Sequence, residues 1–96
     1  MAVRIHCINK SGGNHDNPHE SIHNFGWINE STGESGNSTL AEMVEFIDIQ
    51  KGVAFVRSAQ ETVRCYTRQG RYTKFVQTYA DNTPTDNLLR LPECVS

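Results

Sequence analysis

One amphipathic helix in the middle of the chain constrains the fold more than any other feature of the sequence. Thr39 and Glu42 stand three residues apart in the order of a capping box, in which each side chain accepts a hydrogen bond from the other residue's backbone N–H. The apolar residues that follow recur at helical spacing on one face: Leu40, Met43, Val44 and Ile47. The pattern predicts a helix over residues 40–50, with Glu45 and Asp48 pointing away from the packed face.

Most of the remaining chain has the apolar–polar alternation that is typical of half-buried strands. The predicted strands cover residues 2–9, 27–28, 53–58, 62–68 and 72–78. Gly52 is predicted to end the helix. Residues 31–38 have the composition of a surface loop or a distorted hairpin, and residues 80–87 that of turns. The leucines near the end of the chain are expected to dock on the core: Leu88, Leu89 and Leu91.

This order of elements predicts one small α+β domain over residues 1–96. A chain of 96 residues leaves room for a single core. The order β-β-α-β-β-β predicts a single antiparallel sheet of four to five strands, with one helix packed across a face.

The last two predicted strands form a hairpin, and its register decides which residues the outer face presents. The preferred register has a three-residue loop at residues 69–71. It places Val63, Cys65 and Phe75 on the buried side. The opposite side then carries basic and aromatic residues: Arg64, Tyr66, Arg68, Tyr72 and Lys74. Together with Arg71 in the loop, these residues form the candidate binding site.

Charge is unevenly distributed, although the formal net charge is only -2. Residues 57–74 contain five basic residues and one acid, whereas residues 30–48 contain five acids and no Lys or Arg. A dipolar surface of this kind favours recognition of a protein partner by electrostatic complementarity. The first hypothesis is therefore a small non-enzymatic interaction module, of the adaptor or inhibitor kind.

The alternative hypothesis is single-stranded nucleic-acid binding through the basic face of Arg64, Arg68 and Lys74. On such a face the arginines would contact phosphates, and the tyrosines would stack on bases. The near-neutral total charge predicts that this binding would be weak.

Residues 17–23 fit two incompatible interpretations, of which the first is structural. Asn17 would cap a helical turn, the proline after it would take the first helical position, and Glu20 would close a second capping box. The turn would run over residues 18–25 and end at Gly26.

The second interpretation is a metal site. His19-Glu20-x-x-His23 is the zinc-peptidase pattern, but such enzymes hold it inside a long helix so that both imidazoles face one metal. Here a proline places it in a first turn, so the sequence favours structural capping and predicts neither enzymatic activity nor a cofactor. All four histidines nevertheless lie near the start of the chain. Transition-metal binding at His15, His19 and His23 is therefore a second alternative function.

The three cysteines, Cys7, Cys65 and Cys94, cannot all pair with one another in one chain. No apolar run is long enough to span a bilayer, and the first residues are too polar for a secretory signal. The sequence therefore predicts a cytoplasmic protein with reduced thiols and no membrane association.

Sequence stretches at both ends of the chain match one family pattern. They cover residues 5–10, 17–22, 26, 75–78, 80–81 and 87–94. Together they resemble domain-of-unknown-function family 3892, whose members are small and mainly bacterial or phage-borne. The resemblance implies no particular activity, because the family is named for having no assigned function. The sequence departs from the family pattern at Trp27, where a second glycine is expected after Gly26.

Overall fold

The computed structural model describes residues 2–10, 21–57, 61–70, 74–80, 83–85 and 87–94. The strands are β1 (Ala2–Lys10), β2 (Ile22–Ile28), β3 (Ser35–Thr39), β4 (Val53–Arg57), β5 (Thr62–Gln69), β6 (Lys74–Ala80) and β7 (Thr83–Thr85). The helix α1 (Leu40–Asp48) lies between β3 and β4, and a short 3-10 helix (Leu88–Arg90) follows β7.

All seven strands form one sheet in the order β3-β2-β1-β4-β5-β6-β7. The α+β class is confirmed, but an antiparallel sheet of four to five strands is wrong in two respects. The sheet has more strands, and β1 pairs with β4 in parallel. The parallel pair arises because α1 carries the chain back from the edge strand β3 to the centre, so that β4 runs in the direction of β1.

The edge strand β3 lies in the stretch that was predicted to be a surface loop or a distorted hairpin. It consists of small residues, most of them polar, with no apolar alternation. Its backbone nevertheless pairs along its whole length with β2, from Ser35 opposite Ile28 to Thr39 opposite Asn24. A polar edge strand of this kind gives little hydrophobic signal in a sequence, because neither of its faces contributes to the core. The short β7 likewise lies within the stretch predicted to be turns.

The strand β2 begins at Ile22, so the predicted helical turn over residues 18–25 is wrong from that residue onward. Ile22 and Phe25 are three residues apart and both belong to the core. The β1–β2 ladder explains this spacing, because Ile22 pairs with Lys10 and Asn24 with Asn9, which leaves His23 as a bulge. A bulge brings residues three apart onto the same side of a strand, and a helix gives the same spacing.

The helix α1 begins with the expected capping box. The Thr39 hydroxyl accepts a hydrogen bond from the Glu42 N–H at 3.2 Å, and the Glu42 carboxylate accepts one from the Thr39 N–H at 2.8 Å. Met43 is the most buried residue of the helix, and it packs in the core with Ile5 and Val76. These contacts fix α1 across one face of the sheet.

The residue that turns the chain at the end of α1 is not the glycine that was predicted to do so. Lys51 adopts the left-handed backbone conformation (φ 58°), and Gly52 does not. Position 52 has instead no room for a side chain, because a Cβ atom there would overlap the ring of Phe46. The missing side chain of Gly52 thus allows Phe46 to fold back against the backbone that leads into β4.

Asp48, predicted to point away from the packed face, bonds to the sheet. Its carboxylate accepts hydrogen bonds from the Thr67 hydroxyl at 2.5 Å and from Lys74 Nζ at 2.7 Å. A carboxylate at a helix C-terminus is unfavourable next to the negative end of the helix dipole. The Lys74 ammonium offsets this repulsion and ties the end of α1 to β5 and β6.

Replacing Thr39 by alanine tests the capping box. We expect Thr39→Ala to lower the free energy of unfolding by about 1 kcal/mol, because the N–H of Glu42 loses its acceptor. Thr39→Ser is the matched control, since it keeps the hydroxyl and should lose less. Urea unfolding followed by circular dichroism measures both variants, and equal losses would show that the hydroxyl contributes nothing to the helix start.

Candidate functional site

The register of the β5–β6 hairpin decides which residues of the predicted site share a face. Gln69 pairs with Lys74 and Arg68 with Phe75, so residues 70–73 form the connection. The prediction paired Arg68 with Tyr72. The true register is displaced by three residues, and an odd displacement turns every side chain of β6 to the other side of the sheet.

The predicted direction of the side chains, inward or outward, is therefore correct for β5 and wrong for β6. Arg64, Tyr66 and Arg68 are exposed and alternate with the buried Val63 and Cys65. On β6, by contrast, Phe75 lies on the side of Arg68 and is buried, whereas Lys74 lies on the helix side. The predicted site residues Arg71 and Tyr72 lie outside the described residues.

The side of the sheet opposite α1 presents arginine and aromatic side chains from three strands, which we call the arginine face. Its cross-strand pairs are Phe55 with Arg64 and Arg64 with Tyr79, so three neighbouring strands contribute to it. The arginine face consists of Phe55, Arg57, Arg64, Tyr66, Arg68 and Tyr79. Sequence analysis missed the residues from β4 and the far end of β6, because their alignment depends on the strand register.

The aromatic rings of the arginine face are held by contacts with one another and with guanidinium groups. The guanidinium carbon of Arg64 lies 5.2 Å from the centre of the Tyr66 ring, and that of Arg57 lies 5.5 Å from the centre of the Phe55 ring. The Tyr66 and Tyr79 rings meet edge to face, with their centres 5.6 Å apart. These cation–π and aromatic contacts restrict the side chains while leaving Tyr66 43% exposed.

The arginines on this side differ in how they are paired. The Glu30 carboxylate accepts hydrogen bonds from Arg57 at 2.8 Å and from Arg4 at 3.1 Å. The bond from Arg57 is the main reason that the pKa of Glu30 lies below its usual value, and Arg4 lowers it further. Among the described residues, no salt bridge involves Arg64 or Arg68. Arg68 instead donates a weak hydrogen bond of 3.4 Å to the Gln77 side chain.

The histidines predicted to bind metal are not brought together within the described part of the chain. His15 and His19 lie outside it, as do the proposed caps Asn17 and Glu20. His6 and His23 are exposed. In residues 2–10, 21–57 and the later described ranges, no group of three His, Cys, Asp or Glu side chains could hold a metal ion. Metal binding at His15, His19 and His23 stays a prediction.

The prediction of three reduced thiols is wrong for two of the cysteines. Cys7 on β1 and Cys94 near the C-terminus form a disulfide. No sequence signal identified this pair, because the two residues are brought together only by the path of the C-terminal segment along β1. Cys65 keeps its thiol in the core, where burial raises its pKa to about 12. Such a thiol is inert as a nucleophile near neutral pH.

Among the described residues, no helix is long and apolar enough to cross a membrane. The longest helix there is α1, and it is amphipathic.

Comparison with known proteins gives a family and no function. The family described as "Protein of unknown function (DUF3892)" matches residues 4–92, and the chain therefore belongs to it. No curated protein matches the chain. No solved structure matches it either.

The Lys74–Asp48 pair should make stability depend on pH in the acid range. Hydrogen bonds from Lys74 and Thr67 lower the pKa of Asp48 from its ordinary value of 3.8. A lowered pKa contributes stability that is fully present above the unfolded-state value and is lost as the pH falls through the lower folded-state value. We expect Asp48→Asn to reduce this acid-dependent loss, while the part due to Glu30 remains.

Urea unfolding between about pH 2 and pH 7 measures this effect. Glu45→Gln is the matched control, because it removes one exposed carboxylate from the same helix. An acid-dependent loss of the same size in Asp48→Asn and the wild type would contradict the role of the ion pair.

Proposed function

We propose that this member of the DUF3892 family is a non-enzymatic binding module whose arginine face recognises an acidic, extended segment of a partner protein. The observation that carries the proposal is the outward row Arg64–Tyr66–Arg68 on β5. In this row two cations without a salt bridge to any described residue flank one exposed aromatic ring.

The spacing of the row defines the kind of segment that it fits. Alternate residues of a strand lie roughly 7 Å apart on one side, so Arg64 and Arg68 are separated by roughly 13 Å with Tyr66 midway. An extended peptide has the same period. Carboxylates at its positions i and i+4 would therefore meet the two arginines, and an apolar side chain at i+2 would meet the Tyr66 ring.

The composition of the arginine face supports a protein partner. Tyrosine and arginine are the residues most enriched among the side chains that dominate protein–protein binding energy. The contacts of Tyr66 with Arg64 and Tyr79 hold its ring in place before binding. A side chain that is already restricted loses less conformational entropy when a partner docks.

Single-stranded nucleic acid is the second candidate for the same surface. Exposed aromatic rings and arginines on an open sheet face are the features with which many domains stack bases and contact phosphates. The charge of the chain favours the protein partner. Its net charge of -2 repels a polynucleotide, with one charge per phosphate, more strongly than a peptide segment with two carboxylates.

Two designed peptides test the proposal directly. The first carries carboxylates at i and i+4 around a leucine at i+2, and the second carries the same residues with one carboxylate moved to i+3. In an extended peptide the second arrangement points one carboxylate away from the sheet. We expect the first peptide to bind at least about tenfold more tightly in fluorescence anisotropy, a difference of about 1.4 kcal/mol.

Charge reversal on the protein provides the complementary test. Arg64→Glu combined with Arg68→Glu should abolish binding of the first peptide while the protein stays folded with a cooperative thermal unfolding curve, because both side chains are exposed and make only a cation–π contact and one weak hydrogen bond. Lys10→Glu combined with Lys51→Glu is the matched control, since it changes the net charge equally at exposed positions away from the arginine face. Equal losses in the two double variants would show only a general charge effect and contradict the proposal.

A single-stranded oligonucleotide in the same assay separates the two candidates. Phosphate contacts are strongly weakened by salt. Oligonucleotide binding that depends on Arg64 and Arg68 and survives about 150 mM salt would show that the ligand of the arginine face is nucleic acid and not a protein segment. Binding of neither peptide nor oligonucleotide would overturn both candidates.

We also propose that the protein is of bacterial or phage origin and is located in the cytoplasm. The Cys7–Cys94 disulfide removes the free-thiol argument for that location. A cytoplasmic setting therefore requires that the disulfide can be reduced without loss of the fold.

A further inference from the structure

The C-terminal segment, residues 91–94, lies against the second half of β1. The Ile8 N–H donates a hydrogen bond to the Pro92 carbonyl at 3.0 Å, and the Cys94 N–H donates one to the Ile8 carbonyl at 3.1 Å. The Asn9 side chain donates a third, longer bond to the Cys94 carbonyl at 3.3 Å. The strand β4 pairs with β1 only over residues 2–4, so the segment occupies the part of this edge that β4 leaves open.

The disulfide that holds this segment lies on the side of the sheet opposite α1. Cys7 pairs across the β1–β2 ladder with Gly26. A Cβ atom at Gly26 would overlap Cys7 Sγ and would come within 2.9 Å of Cys94 Sγ. The absence of a side chain at position 26 therefore creates the space that the two sulfur atoms fill.

The disulfide borders an open cleft of about 650 Å³. The cleft is lined by Cys7 and Cys94 together with His6, Asn37, Pro92 and Glu93, among others. Cys7 is only 8% exposed, whereas Cys94 is half-buried. Of the two cysteines that border the cleft, Cys94 is therefore the more exposed residue, and we assign it as the one that an external thiolate attacks.

We propose that Cys7–Cys94 is a thiol–disulfide exchange site, at which an external dithiol releases the C-terminal segment from β1. One thiolate of the dithiol attacks Cys94 Sγ and forms a mixed disulfide, while the bond between the two protein sulfurs breaks and Cys7 leaves as a thiolate. The second thiolate of the dithiol then attacks the first sulfur of the dithiol, which is bonded to Cys94 Sγ in the mixed disulfide. The two dithiol sulfurs become bonded to each other, and Cys94 leaves as a thiolate. The dithiol is oxidised to a disulfide, the protein gains two electrons, and the two protons of the dithiol pass to Cys7 and Cys94.

Release of the segment is local because its described contacts besides the disulfide are three hydrogen bonds to β1 and the packing of Leu91 against the core. Pro92 and Glu93 are exposed, and Leu91 is half-buried. Leu88, by contrast, is fully buried in the core and anchors the chain just before the segment. Segments with few buried contacts open without global unfolding. Reduction thus frees the backbone N–H and carbonyl of Ile8 and removes one wall of the cleft.

Thiol counting tests whether exchange occurs in the folded protein. The native chain is treated with dithiothreitol and then with iodoacetamide, and its mass is measured. We expect no alkylated cysteine before reduction and two after it, with Cys65 reacting only in denaturant. The buried Cys65 thus serves as an internal control for the fold. Failure of dithiothreitol to reduce the native disulfide, at a concentration that reduces the unfolded chain, would overturn the proposal.

Hydrogen exchange tests whether release is local. After reduction we expect the backbone N–H groups of Ile8 and Cys94 to exchange at least about tenfold faster, while those of α1 and β5 keep their protection. Cys94→Ser should show the same pattern without any reductant. Loss of protection throughout the chain, or no change at Ile8, would each contradict a releasable segment.

Gly26→Ala tests whether the absence of a side chain at position 26 serves the disulfide or the pairing of β1 with β2. Because the added methyl group meets both sulfur atoms, we expect it to lower the thermal midpoint of the oxidised protein by several degrees. In the Cys94→Ser background the Cys7 side chain is free to rotate, and the same change should have less than half that effect. An equal effect in both backgrounds would contradict the account of Gly26 as the position that accommodates the disulfide.

Discussion

The fold depends on the pairing of β1, which lies in the middle of the sheet and has partners along both edges. On one edge β2 runs antiparallel to it, and on the other β4 and the C-terminal segment share its length. Val3, Ile5 and Ile8 of the same strand are almost fully buried in the core. A strand of nine residues thus joins the first hairpin, the helix crossover and the chain end into one sheet.

The placement of α1 divides the sheet into two chemically different sides. The helix buries the apolar side through Met43 and ties its last turn to β6 through Asp48 and Lys74. Lys74 lies on the helix side, so the cations of the opposite side are Arg4, Arg57 and the arginines of β5. Glu30 constrains Arg57, while Arg64 and Arg68 have no such carboxylate among the described residues. The candidate binding surface therefore lies on the side of the sheet that α1 does not cover.

Sequence patterns predicted the features of this fold that arise from local interactions. The capping box at Thr39, the apolar stripe of α1 and the alternation of β5 all depend on residues close together in the chain. The errors arose where partners distant in sequence decide the outcome. The bulge at His23 imitates helical spacing, the polar strand β3 has no apolar pattern, and the register of β6 follows from a longer connection than the expected one. The disulfide likewise depends on the final path of the chain.

The disulfide also gives the oxidised molecule an unusual covalent topology. Its two cysteines are separated by 87 residues, so the bond closes residues 7–94, including β2 to β7, into a single ring. A protease that cuts any one loop within the ring opens it without dividing the molecule, and the pieces separate only under reducing conditions. For the same reason, new ends could be opened in a surface connection between strands while Cys7 and Cys94 remain joined.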